Sequence, residues 1–204
     1  MMHSLRKLID AIFPPRKSEI LLRESTGTAP ATIQNAIHRE VFYLCSYQDA
    51  YVQALIIENK FHRNPTARRV LAQLVSDWSK QQPANLIFIP IPLSSKRYRA
   101  RGFNQVTEVL NELCREKNYQ VDDTILTRPI DTMPQTELQK EARLKNVIGV
   151  FDCPKPERLH NFADKTVVLI DDVVTTGATM EVARATLAPL LPSSTKLVCL
   201  ALAH

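Results

Sequence analysis

Glycine is scarce in these 204 residues: four, against ~7% of residues in an average protein. Neither GxxxxGK[ST] nor GxGxxG occurs, which excludes the nucleotide P-loop and the dinucleotide-binding turn. The four cysteines (Cys45, Cys114, Cys153, Cys199) include no CxxC pair, so neither a disulfide framework nor a zinc ribbon is expected. Free, mostly buried thiols are expected instead, and they fit a reducing compartment with cytoplasm as the default. No apolar run approaches the ~20 residues that span a bilayer, so no membrane span is expected. The start, MMHSLRKLIDAIFPPR, has a short apolar segment broken by Asp10 and no small-residue cleavage pattern, unlike a signal peptide. Aromatic residues make up 6%, too few for an evident stacking platform.

The charge is uneven. The net value is +5, and between Asn59 and Thr107 nine Lys/Arg stand against a single acid, Asp77. Such a surface attracts polyanions, either nucleic acid or a phosphorylated small molecule.

Leu5, Leu8, Ile9, Ile12 and Phe13 predict a short amphipathic helix ended by Pro14-Pro15, and the polar stretch 16–30 reads as a loop or a poorly ordered connector. Helices are predicted from Gln48 to Asn59 and from about Asn64-Pro65, the second with Val70, Leu71, Leu74, Val75 and Trp78 on one face. Trp78 therefore reads as core. Leu86-Ile87-Phe88-Ile89 is a buried-strand run, and Val106, Val109, Leu110, Leu113 and Cys114 form a helical stripe. Ile125–Thr127 and Val147–Phe151 are weaker strand candidates. Lys165 to Ile170 is the strongest strand; a helix with Val182, Thr186, Leu187 and Leu190 follows, then a strand from Leu197 to Leu202. This alternation predicts an α/β fold, a parallel twisted sheet with helices on both faces. Residues 1–44 are expected to form an N-terminal helix and connector, and 45–204 the domain.

Ligands of open α/β sheets bind beyond the carboxyl ends of the strands. There, VVLIDDVVTTGATM places Asp171 and Asp172, followed by Val173, Val174, Thr175, Thr176, Gly177, Ala178 and Thr179. Glycine lets backbone approach a ligand, successive N–H groups form an anion nest, and a helix N-terminus adds donors and a positive dipole end. The threonines add hydroxyl donors. The two acids suit vicinal hydroxyls or Mg²⁺, a hard cation that takes oxygen ligands. Together these describe a sugar-phosphate site. PIPLSSKRYRARGFNQV adds a cationic loop, Lys96, Arg97, Arg99 and Arg101 beside Gly102, Asn104 and Gln105, at the same sheet edge. A pyrophosphate on the same ribose would lie between the two loops.

VVLIDDVVTTGATM resembles the phosphoribosyl-pyrophosphate motif of type I phosphoribosyltransferases. The resemblance implies that Asp171 and Asp172 contact ribose hydroxyls and that residues 175–179 wrap the 5′-phosphate. PxPL…KR…RGFNQ resembles the hallmark of the ComF family of competence-associated, phosphoribosyltransferase-like proteins. Tyr47 to Lys60 resembles that family's Y…K segment, and LIDAIFPPR its opening. Thr132 to Gln135 with Arg143 and Asn146 resembles its T-x-x-Q…R…N segment, which by position implies a mobile loop closing over substrate. Many relatives follow PPR with a four-cysteine zinc ribbon; Lys17-Ser18-Glu19-Ile20 stands there instead. A metal site from His38, Cys45 and His62 is disfavoured.

Two functions stay open. The resemblance implies a Mg²⁺-dependent phosphoribosyltransferase using phosphoribosyl pyrophosphate, with Asp171, Asp172, Lys96 and Arg97 as its catalytic residues. It also implies a non-catalytic module that handles single-stranded DNA, with the sugar-phosphate site regulatory; Phe61, Trp78, Tyr98 and Phe103 are the candidate stacking faces, of which Trp78 reads rather as core. Turnover, the acceptor and oligomeric state, a homodimer included, are left open.

Overall fold

The computed structural model describes residues 14–25, 36–38, 40–116, 118–129 and 149–204. Helix α1 (Lys17–Glu24) comes first, then the strands β1 (Ala36–His38) and β2 (Val41–Cys45). Helix α2 (Ala50–His62) starts where the Asp49 carboxylate accepts from the amides of Tyr51 and Val52. Helix α3 (Pro65–Ser79) starts where Asn64 accepts from Thr66 and Ala67, with Pro65 in the first turn. Strand β3 (Leu86–Pro90) is buried at every residue. Helix α4 (Ser95–Arg101) is capped by the Ser94 hydroxyl and stopped by Gly102, whose φ of 79° is left-handed. Helix α5 (Gln105–Glu116) follows, with Asn104 accepting from the amide of Val106, and then β4 (Gln120–Val121). A 3-10 segment (Pro156–Phe162) leads to β5 (Thr166–Val173), α6 (Ala178–Leu187), a 3-10 turn (Ala188–Leu190) and β6 (Lys196–Ala203).

The strands form one sheet in the order β1-β2-β6-β5-β3-β4. Strand β1 pairs antiparallel with β2, and the other four pairings are parallel. In the centre, Ile89 lies beside Leu169 and Leu169 beside Cys199. Successive side chains leave a strand on opposite faces. Phe88, Val168 and Leu200 therefore pack with Leu55 of α2, Leu71 of α3 and Leu110 of α5. Ile87, Leu169 and Ala201 pack with Leu159, Met180 and Ala183 on the other side. Helices cover both faces, as the continuous apolar runs predict. Trp78 is core, 2% exposed.

Three expectations are corrected. The described part of 16–30 is not loop but α1, a polar helix held by tertiary contacts: Leu22 is buried, and Arg16 binds Glu58 of α2. Residues 96–101 form a helix rather than a loop, because Ser94 and Gly102 supply both caps for a segment without an apolar stripe. The strand candidate 125–127 and the described part of the other, 149–151, do not pair as strands. Thr127 instead makes one antiparallel bridge with Asp152, just past the second candidate, while Ile125, Leu126 and Phe151 are buried as core. The amphipathic stretch before Pro14 lies outside the described residues.

Candidate functional site

Strand β5 runs past its apolar portion into Asp171, Asp172 and Val173, so the acid pair belongs to the strand itself. The chain then turns through residues 174–177 into α6. Gly177 is the N-cap with φ 80° and ψ −10°, a left-handed conformation open to glycine, and no side chain caps the helix. The Ala178 amide reaches Thr176 Oγ1 at 3.5 Å, the long limit of a hydrogen bond. First-turn amides of a helix have no intrahelical partner, so this end presents donors and a positive dipole end. A shallow hollow of about 70 Å³ lies here, lined by Asp171 and by residues 173–180.

Asp172 is 6% exposed. Its Oδ2 lies 3.2 Å from Lys60 Nζ and accepts from Gln105 Nε2 at 2.9 Å, and its Oδ1 accepts from the Val173 amide at 2.9 Å. Asp171 is half-buried, and its Oδ1 accepts from the Asp172 amide at 2.8 Å. Burial first, and the adjacent Asp172 charge second, hold the Asp171 carboxyl well above the usual carboxylate range.

The cations arrive from two helices. Lys60 is in the last turn of α2. Arg101 ends α4, donates to Gln105 Oε1 and lies over the Phe61 ring at 5.4 Å. Burial lowers the Arg101 guanidinium from the ordinary arginine value; the Arg97 charge adds to this, and the charges of Asp172 and Asp171 oppose it. Lys96, Arg97 and Arg99 are exposed on α4. Asn104 serves the framework: it caps α5 and donates to the Ile91 carbonyl at 2.9 Å. Gly102 closes α4.

The structure thus gathers Asp171, Asp172, Arg101, Gln105 and the turn 173–179 at one sheet edge. Gln135, Arg143 and Asn146 lie outside the described residues. Lys60 ends the Y…K segment that carries part of the family resemblance, whereas its neighbour Asn59, which donates to the Gln105 carbonyl at 3.0 Å, is an addition that no local pattern singles out.

Five parallel strands covered on both faces, with an acid pair leading into a glycine-opened helix, define the type I phosphoribosyltransferase fold. The model of the phosphoribosyl transferase domain matches residues 98–204, just over half the chain. The chain belongs to this family as a ComF-type, phosphoribosyltransferase-like member. It is 29% identical over 131 residues to competence protein F of Haemophilus influenzae, covering 63% of this chain and 56% of that one. It is 33% identical over 92 residues to the DNA utilization protein YhgH of Escherichia coli strain K12, covering 45% and 38%. With competence protein ComFC of Bacillus subtilis it shares 28% over 109 residues, 53% and 41% of the two chains. The matched stretches therefore span about half or less of these relatives. Among solved structures, a hypoxanthine phosphoribosyltransferase from Staphylococcus aureus aligns with TM-score 0.38 and 12% identity over 65% of this chain and 61% of that one. An allosteric regulatory enzyme of purine biosynthesis aligns with TM-score 0.40 and 16% identity over 71% and 30%. Among the described residues, no helix is long and apolar enough to cross a membrane.

Proposed function

We propose that this chain binds phosphoribosyl pyrophosphate with Mg²⁺ at the end of β5 and transfers its phosphoribose to an acceptor, releasing pyrophosphate. The observation that carries this reading is the uncapped, glycine-opened start of α6 beside Asp171, one hollow joining phosphate donors to a carboxylate. In it the turn 175–179 takes the 5′-phosphate and Asp171, the acid that lines the hollow, serves the ribose hydroxyls. Lys96, Arg97, Arg99 and Arg101 supply positive charge for the pyrophosphate. The bond from C1 to the pyrophosphate oxygen breaks and a bond from C1 to the acceptor forms, with no protein nucleophile. The chain's contribution is positioning and charge stabilisation. Among the described residues no group of three or more His, Cys, Asp or Glu converges on a metal site. Mg²⁺ here would be held by one or two carboxylates and the ligand's own phosphates, a donor set that suits it.

A second reading is favoured by the names of the relatives, which refer to competence and DNA utilization, and by the exposed α4 face. Tyr98 is 54% exposed, and Phe61 is 61% exposed with Lys60 and Arg101 over its ring. In that reading the face takes single-stranded DNA and the sugar-phosphate site regulates it.

Titration of the purified protein with phosphoribosyl pyrophosphate, with and without Mg²⁺, tests the first reading against an Asp171→Asn/Asp172→Asn variant. Magnesium-dependent binding lost in the variant is expected, and no binding by folded wild-type protein would sink it. For the second, affinity for a single-stranded oligonucleotide should fall steeply with salt and with neutralisation of the four α4 cations. Salt-insensitive or undetectable binding would exclude it.

A further inference from the structure

The two acids of β5 are neighbours in sequence and opposites in space. Adjacent strand residues point to opposite faces, so the pleat parts them. Asp171 is on the α6 side, where it lines the hollow. Asp172 is on the side of α2 and α5, buried, and both of its oxygens are engaged within the chain. Oδ2 holds Lys60 and Gln105, and Oδ1 holds the Val173 amide.

Gln105 is itself 3% exposed and bridges two charges of opposite sign. Its Nε2 donates to Asp172, its Oε1 accepts from Arg101, and its main-chain carbonyl accepts from Asn59. An amide has one donating and one accepting end. A carboxylate accepts only and a guanidinium donates only, so these two partners permit one orientation of the amide. The Asp172 anion sets that orientation, and the amide in turn holds Arg101 at the end of α4.

We infer that the acid pair is divided in role: Asp171 meets the ligand, and Asp172 is a positioning residue that acts through Gln105 on Arg101. The inference rests on the phosphoribosyl-pyrophosphate reading above. It departs from the equal roles that the motif resemblance implies for the two acids. Lys60 belongs to the same relay as the counter-charge that keeps Asp172 in place.

Dissecting the ligand separates the two acids. Ribose 5-phosphate and inorganic pyrophosphate, each with Mg²⁺, are titrated separately against wild type, Asp171→Asn, Asp172→Asn and Gln105→Met. Loss of one hydrogen bond to a charged group corresponds to about tenfold in affinity. Asp171→Asn should weaken ribose 5-phosphate by that factor. Asp172→Asn and Gln105→Met should weaken pyrophosphate by the same factor and leave ribose 5-phosphate within about threefold. Asp172→Asn that weakens ribose 5-phosphate as much as Asp171→Asn does would overturn the inference. Equal weakening of both ligands, the mark of a merely structural role, would overturn it too. If Asp172→Asn lacks a cooperative melt, Gln105→Met decides by the same criterion. Failure of folded wild-type protein to bind either ligand would instead remove the phosphoribosyl-pyrophosphate reading itself, and this one with it.

Discussion

Arg16 and Glu58 are joined by two parallel hydrogen bonds, Nε to Oε1 at 3.0 Å and Nη2 to Oε2 at 2.9 Å. The Glu58 side chain is fully buried and that of Arg16 about half exposed. Ser18 also donates to this carboxylate at 2.7 Å and Asn64 at 3.1 Å. One buried anion therefore gathers the residue before α1, the first turn of α1 and the N-cap of α3. It fastens α1 to the helix that carries Lys60. Burial pushes the Glu58 carboxyl up, and the hydrogen bonds from Arg16, Ser18 and Asn64 outweigh it, bringing it down to about 2.

Because the folded value lies below the unfolded one, Glu58 contributes stability that is fully present above its ordinary value of 4.5 and is lost as pH falls towards 2. Urea unfolding should show this acid limb in wild type and a flatter one in Glu58→Gln. Arg16→Ala leaves two of the donors in place and should lower stability at neutral pH by about 2 kcal/mol. An unchanged urea midpoint would mean that α1 contributes nothing to the folded domain.

Asp171 has the opposite sign. Its folded carboxyl is raised, so the native state binds the proton more tightly than the unfolded chain. Stability then falls as pH rises from 3.8 through the folded value. Asp171→Asn should remove that penalty and raise stability at pH 7 while, on the proposed reading, weakening binding of phosphoribosyl pyrophosphate, a trade of function against stability. Parallel urea curves of the variant and wild type at pH 7 and pH 4 check it: the gain should shrink at the lower pH.

Gly177 and Gly102 have nearly the same left-handed φ, 80° and 79°. A Cβ at Gly102 would meet open space, so only backbone strain acts there. Each glycine-to-alanine change should cost about 1 kcal/mol by thermal melting. On the proposed reading Gly177→Ala should in addition weaken phosphate binding, because Gly177 is the left-handed N-cap that sets the turn presenting the first amides of α6. Equal ligand affinity in the two variants would remove Gly177 from the site.

The thiols should be nearly silent in the native protein. Burial pushes Cys45 up to about 12, with the Asp49 charge adding to it, and pushes Cys199 up to about 11 against the opposing charge of Arg184. Cys153 is also raised, by burial first. Cys114, half-buried and bonded to the Tyr119 carbonyl, is the most accessible. With a thiol reagent at pH 8, at most one group should react quickly, and all four should react in denaturant. A second fast thiol would contradict the burial.

Much of this fold is legible along the chain because it is written in local terms. The runs at 86–89, 165–170 and 197–202 are apolar beyond what one-sided burial needs, which marks central strands of a sheet covered on both faces. Asn64-Pro65 announces a helix start, and Asp-Asp followed by TTGAT announces a strand end that turns into a helix, since each feature depends on residues only a few positions apart. By contrast, α1 has little apolar pattern of its own and exists because Leu22 and Arg16 find partners on a helix far along the chain. The α4 helix was hidden for a similar reason: its charges look like a loop until Ser94 and Gly102 are seen to cap it. The glycine-opened turn after β5 and its two acids were thus determined by the sequence itself. Only the tertiary structure decided which acid faces the hollow and which is held by Lys60 and Gln105. Gln105 and Asp172 are 67 residues apart, and they meet only because β3 and β5 pair and α5 packs across them. Contacts of that kind depend on strand order and pleat, and no local window of sequence contains either.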